Sequence, residues 1–237
     1  MVESKIEIDE AKRVSYSIII PVLNESKALG AQFKSIGIGQ DEVEVIVADG
    51  GSEDNTIEMV KSVGWRLAQA KRGRGVQMNT GAALARGEVL LFLHADTQLP
   101  NGWEALVKQA LESQEVAAGN FKLEFDGGSK EALWMTKLYP ILSRGGLCYG
   151  DSGLFIRRST FEEMGGYKDY PIFEDYDLYR RLRIVGKFRT VDGVAVTSSR
   201  RFEGKFGRTF LLWMVLQVLY WAGVSPQRLG KLYRDWR

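Results

Sequence analysis

The sequence predicts an α/β protein built on a doubly wound, mostly parallel sheet with helices on both faces. The first observation is that short, continuous apolar runs recur, which is typical of strands buried on both faces. The second is that segments with helical character separate these runs, as in parallel βαβ units. The third is a composition of 45% hydrophobic and 26% charged residues over 237 positions, which is enough to bury a full core.

Strand-like and helix-like segments alternate along the chain. The expected strands lie at 15–23, 43–48, 65–69, 90–96, 116–125, 154–156 and 188–199. The expected helices start at 26, 76, 103, 130, 174 and 209, and two more end at 60 and near 166. Glycines at 50 and 51 permit a sharp turn, and Ser52 or Asp54 can cap the helix that follows. A glycine-rich segment at 145–153 is expected to form a loop over the cleft.

Polar side chains follow three of the predicted parallel strands. Asn24 and Glu25 follow the first, Asp49 follows the second, and His94 and Asp96 end the run at 90–96. In open parallel sheets ligands bind outside the carboxyl ends of the strands. The sequence therefore predicts a ligand-binding cleft at this edge.

Asp96 is the first candidate for a metal ligand, and His94 is the second. A carboxylate is a hard oxygen ligand, and Mg²⁺ or Mn²⁺ is commonly held by one or two carboxylates plus substrate phosphates. His94 is the only histidine in the chain and can contact the same cation directly or through water. The alternative for His94 is a hydrogen-bonded core histidine.

Two further groups near the same edge suit a nucleotide. Asp49 can accept hydrogen bonds from a ring N–H and a ribose hydroxyl, and its alternative role is to cap the next helix. Arg72 and Arg74 flank Gly73 and can neutralise phosphate oxygens. The alternative is that they are two surface arginines in a turn with no role in binding.

Glu174 and Asp175 begin a helix in which residues 178, 182 and 185 form an apolar stripe. A carboxylate there can take the proton from an attacking hydroxyl. The alternative is a purely structural role, because acidic residues are favourable in the first turn of any helix. Asp177 is expected to point away from Asp175 and to be solvated.

The C-terminal part of the chain is basic and partly apolar. From Arg200 onward there are eight Lys or Arg residues against two acids, which suits a phosphate group, a lipid surface or merely solvent. Residues 209–226 carry no charge but fall short of the roughly 20 apolar residues of a spanning helix. This segment can lie at an anionic membrane surface, form a dimer interface or belong to the core.

Cys148 is the single cysteine and cannot form an internal disulfide, which indicates a reducing compartment. We expect it to be a small packing residue. Residues 1–13 have no secretory signal and are expected to be a flexible N-terminus. We expect a cytoplasmic protein, with the inner face of the cell membrane as a peripheral location.

Four stretches resemble the family-2 glycosyltransferases, inverting enzymes of the GT-A fold that use nucleotide-activated sugars. They are IIIPVLNE at 18–25, VIVADGGSEDNT at 45–56, the segment 73–96, and FEDYDL at 173–178. The chain departs from the family at His94, where an acid is usual. The His-Ala-Asp variant, with YGDSG at 149–153, resembles a small bacterial subgroup with some lipid or carotenoid-type acceptors.

The resemblance implies a role for each matching position. It puts the nucleotide against Pro21, Asn24, Glu25, Asp49 and Ser52. It makes Asp96 the last acid of an Asp-x-Asp motif, which binds metal and diphosphate, and Asp175 the general base. Arg200 and Arg201 look like a reduced Arg-Trp element near the diphosphate, and Asp151 and Glu174 are expected on the acceptor side.

The sequence thus predicts transfer of a sugar from a UDP or GDP sugar to a hydroxyl or carboxyl acceptor, with Mg²⁺ or Mn²⁺ as cofactor. The expected division is a domain at 14–205, with a nucleotide half to 100 and an acceptor half from 101, followed by helices at 206–237. A monomer or homodimer is expected, with no nucleic-acid partner.

Two alternatives stay open. One is a catalytically weak or inactive membrane-associated scaffold, favoured by His94. The other is a nucleotidyltransferase or dinucleotide-binding enzyme, which calls for a glycine-rich loop where this chain has Asn24-Glu25-Ser26-Lys27.

Overall fold

The computed structural model describes residues 15–36, 42–148, 150–201 and 204–236, so the expectation for residues 1–13 lies outside the described part. The strands are β1 (Tyr16–Val22), β2 (Val43–Asp49), β3 (Arg66–Gln69), β4 (Val89–Phe92), β5 (Thr97–Gln98), β6 (Val116–Phe125), β7 (Leu154–Arg157) and β8 (Lys187–Thr197). The helices are α1 (Ser26–Ile36), α2 (Thr56–Ser62), α3 (Arg74–Ala83), α4 (Trp103–Leu111), α5 (Lys130–Arg144), α6 (Arg158–Glu163), α7 (Glu174–Val185), α8 (Phe206–Trp221) and α9 (Pro226–Trp236). The predicted α/β class is confirmed.

The first half of the sheet is parallel. β1 pairs in parallel with β2 on one side and with β4 on the other, and β2 pairs in parallel with β3. Ile18, Ile19 and Ile20 of β1 are fully buried. Ile18 and Ile20 belong to one apolar cluster and Ile19 to another, because successive side chains of a strand point to opposite faces. The prediction of strands covered on both faces is therefore confirmed here.

The second half of the sheet is mixed. The strand order is β3-β2-β1-β4-β7-β6-β8-β5, with β7 antiparallel to both β4 and β6 and with β5 antiparallel to β8. β6 and β8 are parallel to each other. The strand direction therefore reverses at β7, next to β4. As a result, the start of α7 and the loop at 150–152 lie at the same sheet edge as the carboxyl ends of β1 and β2.

The strand that was predicted at 90–96 ends at Phe92. The chain then leaves the sheet, and the Thr97 N–H donates to the His94 carbonyl in a turn before the two-residue strand β5. His94 and Asp96 therefore lie in a connection between strands. This placement explains how a buried apolar run can present polar side chains at the sheet edge.

Helix α8 packs against the domain with one face only. Leu212 and Leu216 are buried in a third apolar cluster that also holds Leu229 of α9. The opposite face of α8 exposes between 43% and 63% of four side chains, those of Leu211, Val215, Val218 and Trp221. Among the described residues, no helix is long and apolar enough to cross a membrane.

Two expectations for α7 are wrong. Asp177 is buried, and the desolvation of its carboxylate is offset by Arg181 at 2.7 Å and Lys168 at 3.1 Å. Val185 is 58% exposed at the end of the helix, so the buried stripe consists of Leu178 and Leu182 only. Cys148 is buried, in agreement with a packing role.

Candidate active site

The loops after β1 and β2 are tied together by side chains. The Asn24 N–H donates to Ser52 Oγ at 2.9 Å, and the Glu53 N–H donates to Asn24 Oδ1 at 2.8 Å. Asn24 has a φ of +55°, a left-handed conformation that asparagine tolerates better than most residues. Two of the predicted nucleotide residues, Asn24 and Ser52, are thereby brought into contact.

Asp49 shapes the turn that follows β2. Its buried carboxylate accepts hydrogen bonds from the Gly51 N–H at 2.9 Å and the Ser52 N–H at 3.1 Å. It does not cap α2, because that helix starts at Thr56 and the Thr56 N–H donates to Asp54 instead. Hydrogen bonds from the side chains of Thr56 and Ser26 lower the pKa of Asp54 to about 2.

Gln77 of α3 positions the same edge and was not predicted. Its buried Nε2 donates to the Val22 carbonyl at 2.7 Å and the Ala48 carbonyl at 2.8 Å, so one amide spans the ends of β1 and β2. A Cβ on Gly50 would lie 3.0 Å from the Gln77 side chain, so a larger residue there would press on this amide. A polar residue in a helix carries no sequence signal for this role.

Arg200 joins two of the predicted acids. Its Nη2 lies 2.6 Å from Glu25 Oε2 and 3.1 Å from Asp96 Oδ2. Burial lowers the pKa of Arg200, but Glu25 and Asp96 together raise it above its ordinary value. Residues from three distant segments therefore meet here. The side chain of Arg201 lies outside the described residues.

His94 and Asp175 meet around the turn at 150–152. His94 Nδ1 lies 2.6 Å from Asp151 Oδ1, and a Cβ on Gly150 would lie 3.1 Å from His94 Nε2. The Gly150 N–H donates to Asp175 Oδ2 at 2.7 Å, and the Tyr176 N–H donates to Asp175 Oδ1 at 2.7 Å. Both oxygens of the predicted base are therefore held by backbone donors. Tyr149 of the YGDSG motif lies outside the described residues.

Glu174 and Arg74 form an ion pair at the same end of α7. Arg74 Nε lies 3.4 Å from Glu174 Oε1, and the Glu174 side chain is only 4% exposed. Burial raises the pKa of Glu174, and Arg74 partly counteracts this. Burial lowers the pKa of Arg74, but Glu174, Asp175 and Asp151 together raise it. Arg74 thus faces the carboxylates of α7 although its side chain is 41% exposed, and Arg72 is exposed in the turn before α3.

The backbone just before these acids is strained. Phe173 has a φ of +66°, which bulky side chains rarely adopt. Its buried ring packs 4.7 Å from the ring of Tyr220 in α8. The packing of α8 therefore helps to hold the start of α7, where Glu174 and Asp175 lie.

The residues around Asp96 partly fit a divalent cation. Within the described residues, no three His, Cys, Asp or Glu side chains converge as a metal site. Asp96 and Glu25 nevertheless share one cation, the guanidinium of Arg200, so their oxygens face a common position. One or two carboxylates suffice for Mg²⁺ or Mn²⁺ when phosphate oxygens complete the coordination.

Comparison with known families decides the classification. The model of the family described as Glycosyl transferase family 2 matches residues 17–165, which is more than half of the chain. The chain belongs to glycosyltransferase family 2. The matched part contains the connected loops of β1 and β2 and the turn at 150–152.

Curated relatives of this family-2 glycosyltransferase carry specific names. A "PGL/p-HBAD biosynthesis glycosyltransferase" of Mycobacterium tuberculosis is 30% identical over 178 residues, which cover 68% of this chain and 67% of the relative. A "4,4'-diaponeurosporenoate glycosyltransferase" of Staphylococcus haemolyticus is 30% identical over 110 residues, or 42% of this chain and 29% of the relative.

Solved structures support the GT-A fold. The mannosyltransferase PcManGT from Pyrobaculum calidifontis, in complex with GDP-Man and Mn²⁺, matches with a TM-score of 0.60 and 20% identity. S. aureus TarS 1-349, in complex with UDP-GlcNAc, matches with a TM-score of 0.59 and 17% identity. Each match covers 78% of this chain and 56% of the solved chain. At these identities the likeness establishes the fold.

Proposed function

We propose that this family-2 member is an inverting glycosyltransferase that moves a sugar from a nucleoside-diphosphate sugar to a hydroxyl or carboxyl group. The observation that carries the proposal is a pair of polar contact series along one sheet edge. One runs from Glu25 through Arg200 to Asp96, and the other runs from His94 through Asp151 and its neighbour Gly150 to Asp175. Groups suited to a diphosphate and to a base therefore lie along the same edge.

The donor nucleotide is assigned to the loops after β1 and β2. Asp49 has four lone-pair sites on its carboxylate, and two backbone N–H groups leave capacity for a ring N–H or a ribose hydroxyl. Uracil and guanine both offer such an N–H, so UDP and GDP sugars fit equally. Pro21, Asn24, Glu25, Ser52 and Arg72 complete the proposed nucleotide side.

The diphosphate is assigned to the neighbourhood of Asp96, Arg200 and Arg201. When bound there, Mg²⁺ or Mn²⁺ supplies positive charge that stabilises the departing diphosphate. Asp96 would hold the cation, and Arg200 adds a permanent positive charge beside it. His94 was predicted as a further metal ligand, and its contact with Asp151 favours a role on the acceptor side.

Asp175 is the proposed general base. It accepts the proton of the acceptor hydroxyl as the acceptor oxygen forms a bond to C1 of the sugar. The bond from C1 to the diphosphate breaks on the opposite face, the nucleoside diphosphate leaves, and the configuration at C1 inverts. Two backbone N–H groups keep the Asp175 carboxylate oriented. Asp151 and Glu174 line the same cavity as Asp175, and we assign them to the acceptor side.

A lipid or carotenoid-type acceptor at an anionic membrane surface is part of the proposal. Relatives are named for PGL/p-HBAD biosynthesis and for diaponeurosporenoate, and α8 exposes an apolar face. The chain would then act in the cytoplasm at the inner face of the membrane, as a monomer or homodimer. Flotation with anionic vesicles should recover the wild-type protein, and Val218→Asp should recover less; absence of wild-type flotation contradicts the membrane contact.

The remaining alternative is an inactive scaffold, and one experiment separates it from an enzyme. The melting temperature of the purified protein is measured with a panel of UDP and GDP sugars, with and without Mn²⁺. Sugar release is measured on separate samples of the native protein. A donor that binds the native state should raise the melting temperature, and Asp49→Ala should abolish the rise. Binding without sugar release supports the scaffold, and no binding by any nucleotide sugar overturns the proposal.

A further inference from the structure

A cavity opens beside Asp175 on the side of the C-terminal helices. Four charged residues line it where it meets the start of α7, namely Asp151, Glu174, Asp175 and Arg74, and we call this part its charged end. The wall beyond that end is largely aromatic or aliphatic and comes from β6, α5, the segment before α7, and α8. We call it the aromatic cavity and define it by six side chains, those of Phe125, Tyr139, Phe173, Phe210, Trp213 and Met214.

The aromatic cavity is separate from the proposed nucleotide side. Asn24, Glu25, Asp49, Ser52 and Asp96 do not line it. Asp151, Glu174 and Asp175 do, together with Arg74, which the sequence predicts on the phosphate side, so these charged groups lie between the two regions. A molecule in the cavity would therefore approach Asp175 from a side that the proposed donor site leaves open.

The wall has few polar groups with which to bind a polar ligand. Beyond the charged end, the polar side-chain groups are those of Thr197, Ser198 and Gln217 and the hydroxyls of Tyr139 and Tyr233. The Tyr139 hydroxyl already donates to Ser152 Oγ at 3.4 Å. The Thr197 hydroxyl is already hydrogen-bonded to the Thr97 hydroxyl at 2.9 Å. A sugar acceptor carries many hydroxyls, and each one buried without a partner weakens binding. An apolar molecule with a single hydroxyl loses nothing in this way and gains from burial.

We propose that the aromatic cavity binds the acceptor, and that the acceptor is an apolar, largely ring-containing alcohol with its hydroxyl directed at Asp175. The inference rests on the proposed function, because it assigns a substrate class to that same site. The ring faces of Phe210 and Trp213 would stack on the body of the acceptor, while the charged end receives its one polar group. A free carbohydrate is excluded as the preferred acceptor.

Helix α8 connects this cavity to the protein surface. Phe210, Trp213 and Met214 line the cavity, whereas Leu211 and Val215 of the same helix are exposed. Neighbouring positions of α8 therefore offer matched variants that differ in whether they line the cavity. Met214→Asp puts a charge in the cavity wall, and Val215→Asp puts the same charge on the outside of the same helix.

The test uses 4-octylphenol as the probe, with the full chain and without vesicles. Binding is followed by tryptophan fluorescence, and UDP and GDP binding is followed by thermal shift on the same samples. Met214→Asp should weaken binding of 4-octylphenol by about tenfold or more, since a buried apolar contact is replaced by a charge. Val215→Asp should bind the probe like the wild type. Trp213→Ala serves as a second cavity variant in case Met214→Asp does not fold.

The two proposals fail in different ways in this experiment. If the wild type binds a nucleotide but both cavity variants bind 4-octylphenol as tightly as the wild type, the acceptor assignment is overturned and the proposed function stands. Equal weakening by Val215→Asp also overturns it, because the probe then binds the outer face of α8. If the wild type binds 4-octylphenol but no nucleotide or nucleotide sugar, the proposed function fails while the apolar site remains.

Discussion

His94 Nδ1 lies 2.6 Å from Asp151 Oδ1. The next residue toward the N-terminus, Gly150, donates its N–H to Asp175 Oδ2. His94 therefore contacts the short turn that orients the proposed base. Its position two residues before Asp96 predicted a metal ligand, and its contact in the folded protein indicates support of the acceptor side.

Replacing His94 distinguishes these two roles. His94→Gln should lower the rate of sugar release by about tenfold to a hundredfold, because a small displacement of a base is costly. The donor KM and the affinity for Mn²⁺ with nucleoside diphosphate should stay near the wild-type values. A large loss of Mn²⁺ affinity, measured by calorimetric titration, would instead establish His94 as a metal ligand.

Arg200 should matter for the diphosphate. Arg200→Ala removes the guanidinium beside Asp96 and should weaken binding of nucleoside diphosphate by about tenfold, since hydrogen bonds to charged groups are among the stronger ones. Arg189→Ala, at an exposed position of β8, is the matched control and should bind normally. Calorimetric titration with UDP and GDP measures both. Equal affinity in the two variants would remove Arg200 from the site.

Glu44 should contribute to stability in a pH-dependent way. Burial alone would raise the pKa of Glu44, but hydrogen bonds from the Arg86 N–H and from the side chains of Ser17, Arg66 and Arg86 lower it below its ordinary 4.5. Because the pKa of Glu44 is lower in the folded than in the unfolded state, its carboxylate stabilises the folded protein at pH values above the unfolded-state pKa. That contribution is lost as the pH falls from about 4.5 through the folded-state value.

The matched variants are Glu44→Gln and Glu115→Gln. Glu44→Gln should lower the free energy of unfolding by about 2 kcal/mol at neutral pH, because charged hydrogen bonds are lost at a buried position. Glu115 pairs with Lys187 in solvent, where the two charges are screened, so its replacement should change the stability much less than Glu44→Gln does. Urea unfolding at pH 7 and pH 3.5 measures this. If the loss of unfolding free energy in Glu44→Gln were the same at pH 3.5 as at pH 7, the stabilising role of the Glu44 carboxylate would be contradicted.

Cys148 should be inert in the folded protein. Burial is the main cause that raises the pKa of its thiol to about 12, so little thiolate exists at neutral pH. Alkylation by iodoacetamide at pH 8 should proceed only at the rate of unfolding and should become fast in urea. Rapid alkylation of the native protein would show that the thiol is accessible.

Much of the N-terminal half could be predicted because its signals are local. Continuous apolar runs at β1 and β2 and polar residues at their ends follow from burial on both faces and from the rule for ligand sites in open sheets. The predicted bounds of β6 and the predicted start of α4 agree with the structure for the same reason. The prediction of Asn24 and Asp49 as nucleotide residues rests on their place at the carboxyl ends of these strands.

The remaining features depend on contacts between distant segments. Nothing local to Gln77 indicates that its amide spans the ends of two strands, and nothing local to Asp177 indicates that Arg181 and Lys168 allow its burial. The reversal of strand direction at β7 likewise follows from pairing across the sheet. The aromatic cavity is lined by residues of β6, α5, α7 and α8, so it cannot be predicted from any single segment of the sequence.

The most direct test of the central claim is the rate of sugar release from a bound nucleotide sugar, to acceptor or to water, in Asp175→Asn. Loss of a general base should lower this rate by about 10²-fold to 10⁴-fold while donor binding is unchanged. Asp169→Asn, at an exposed position five residues before Glu174, is the matched control and should retain the wild-type rate. Sugar release by Asp175→Asn at the wild-type rate would contradict the account.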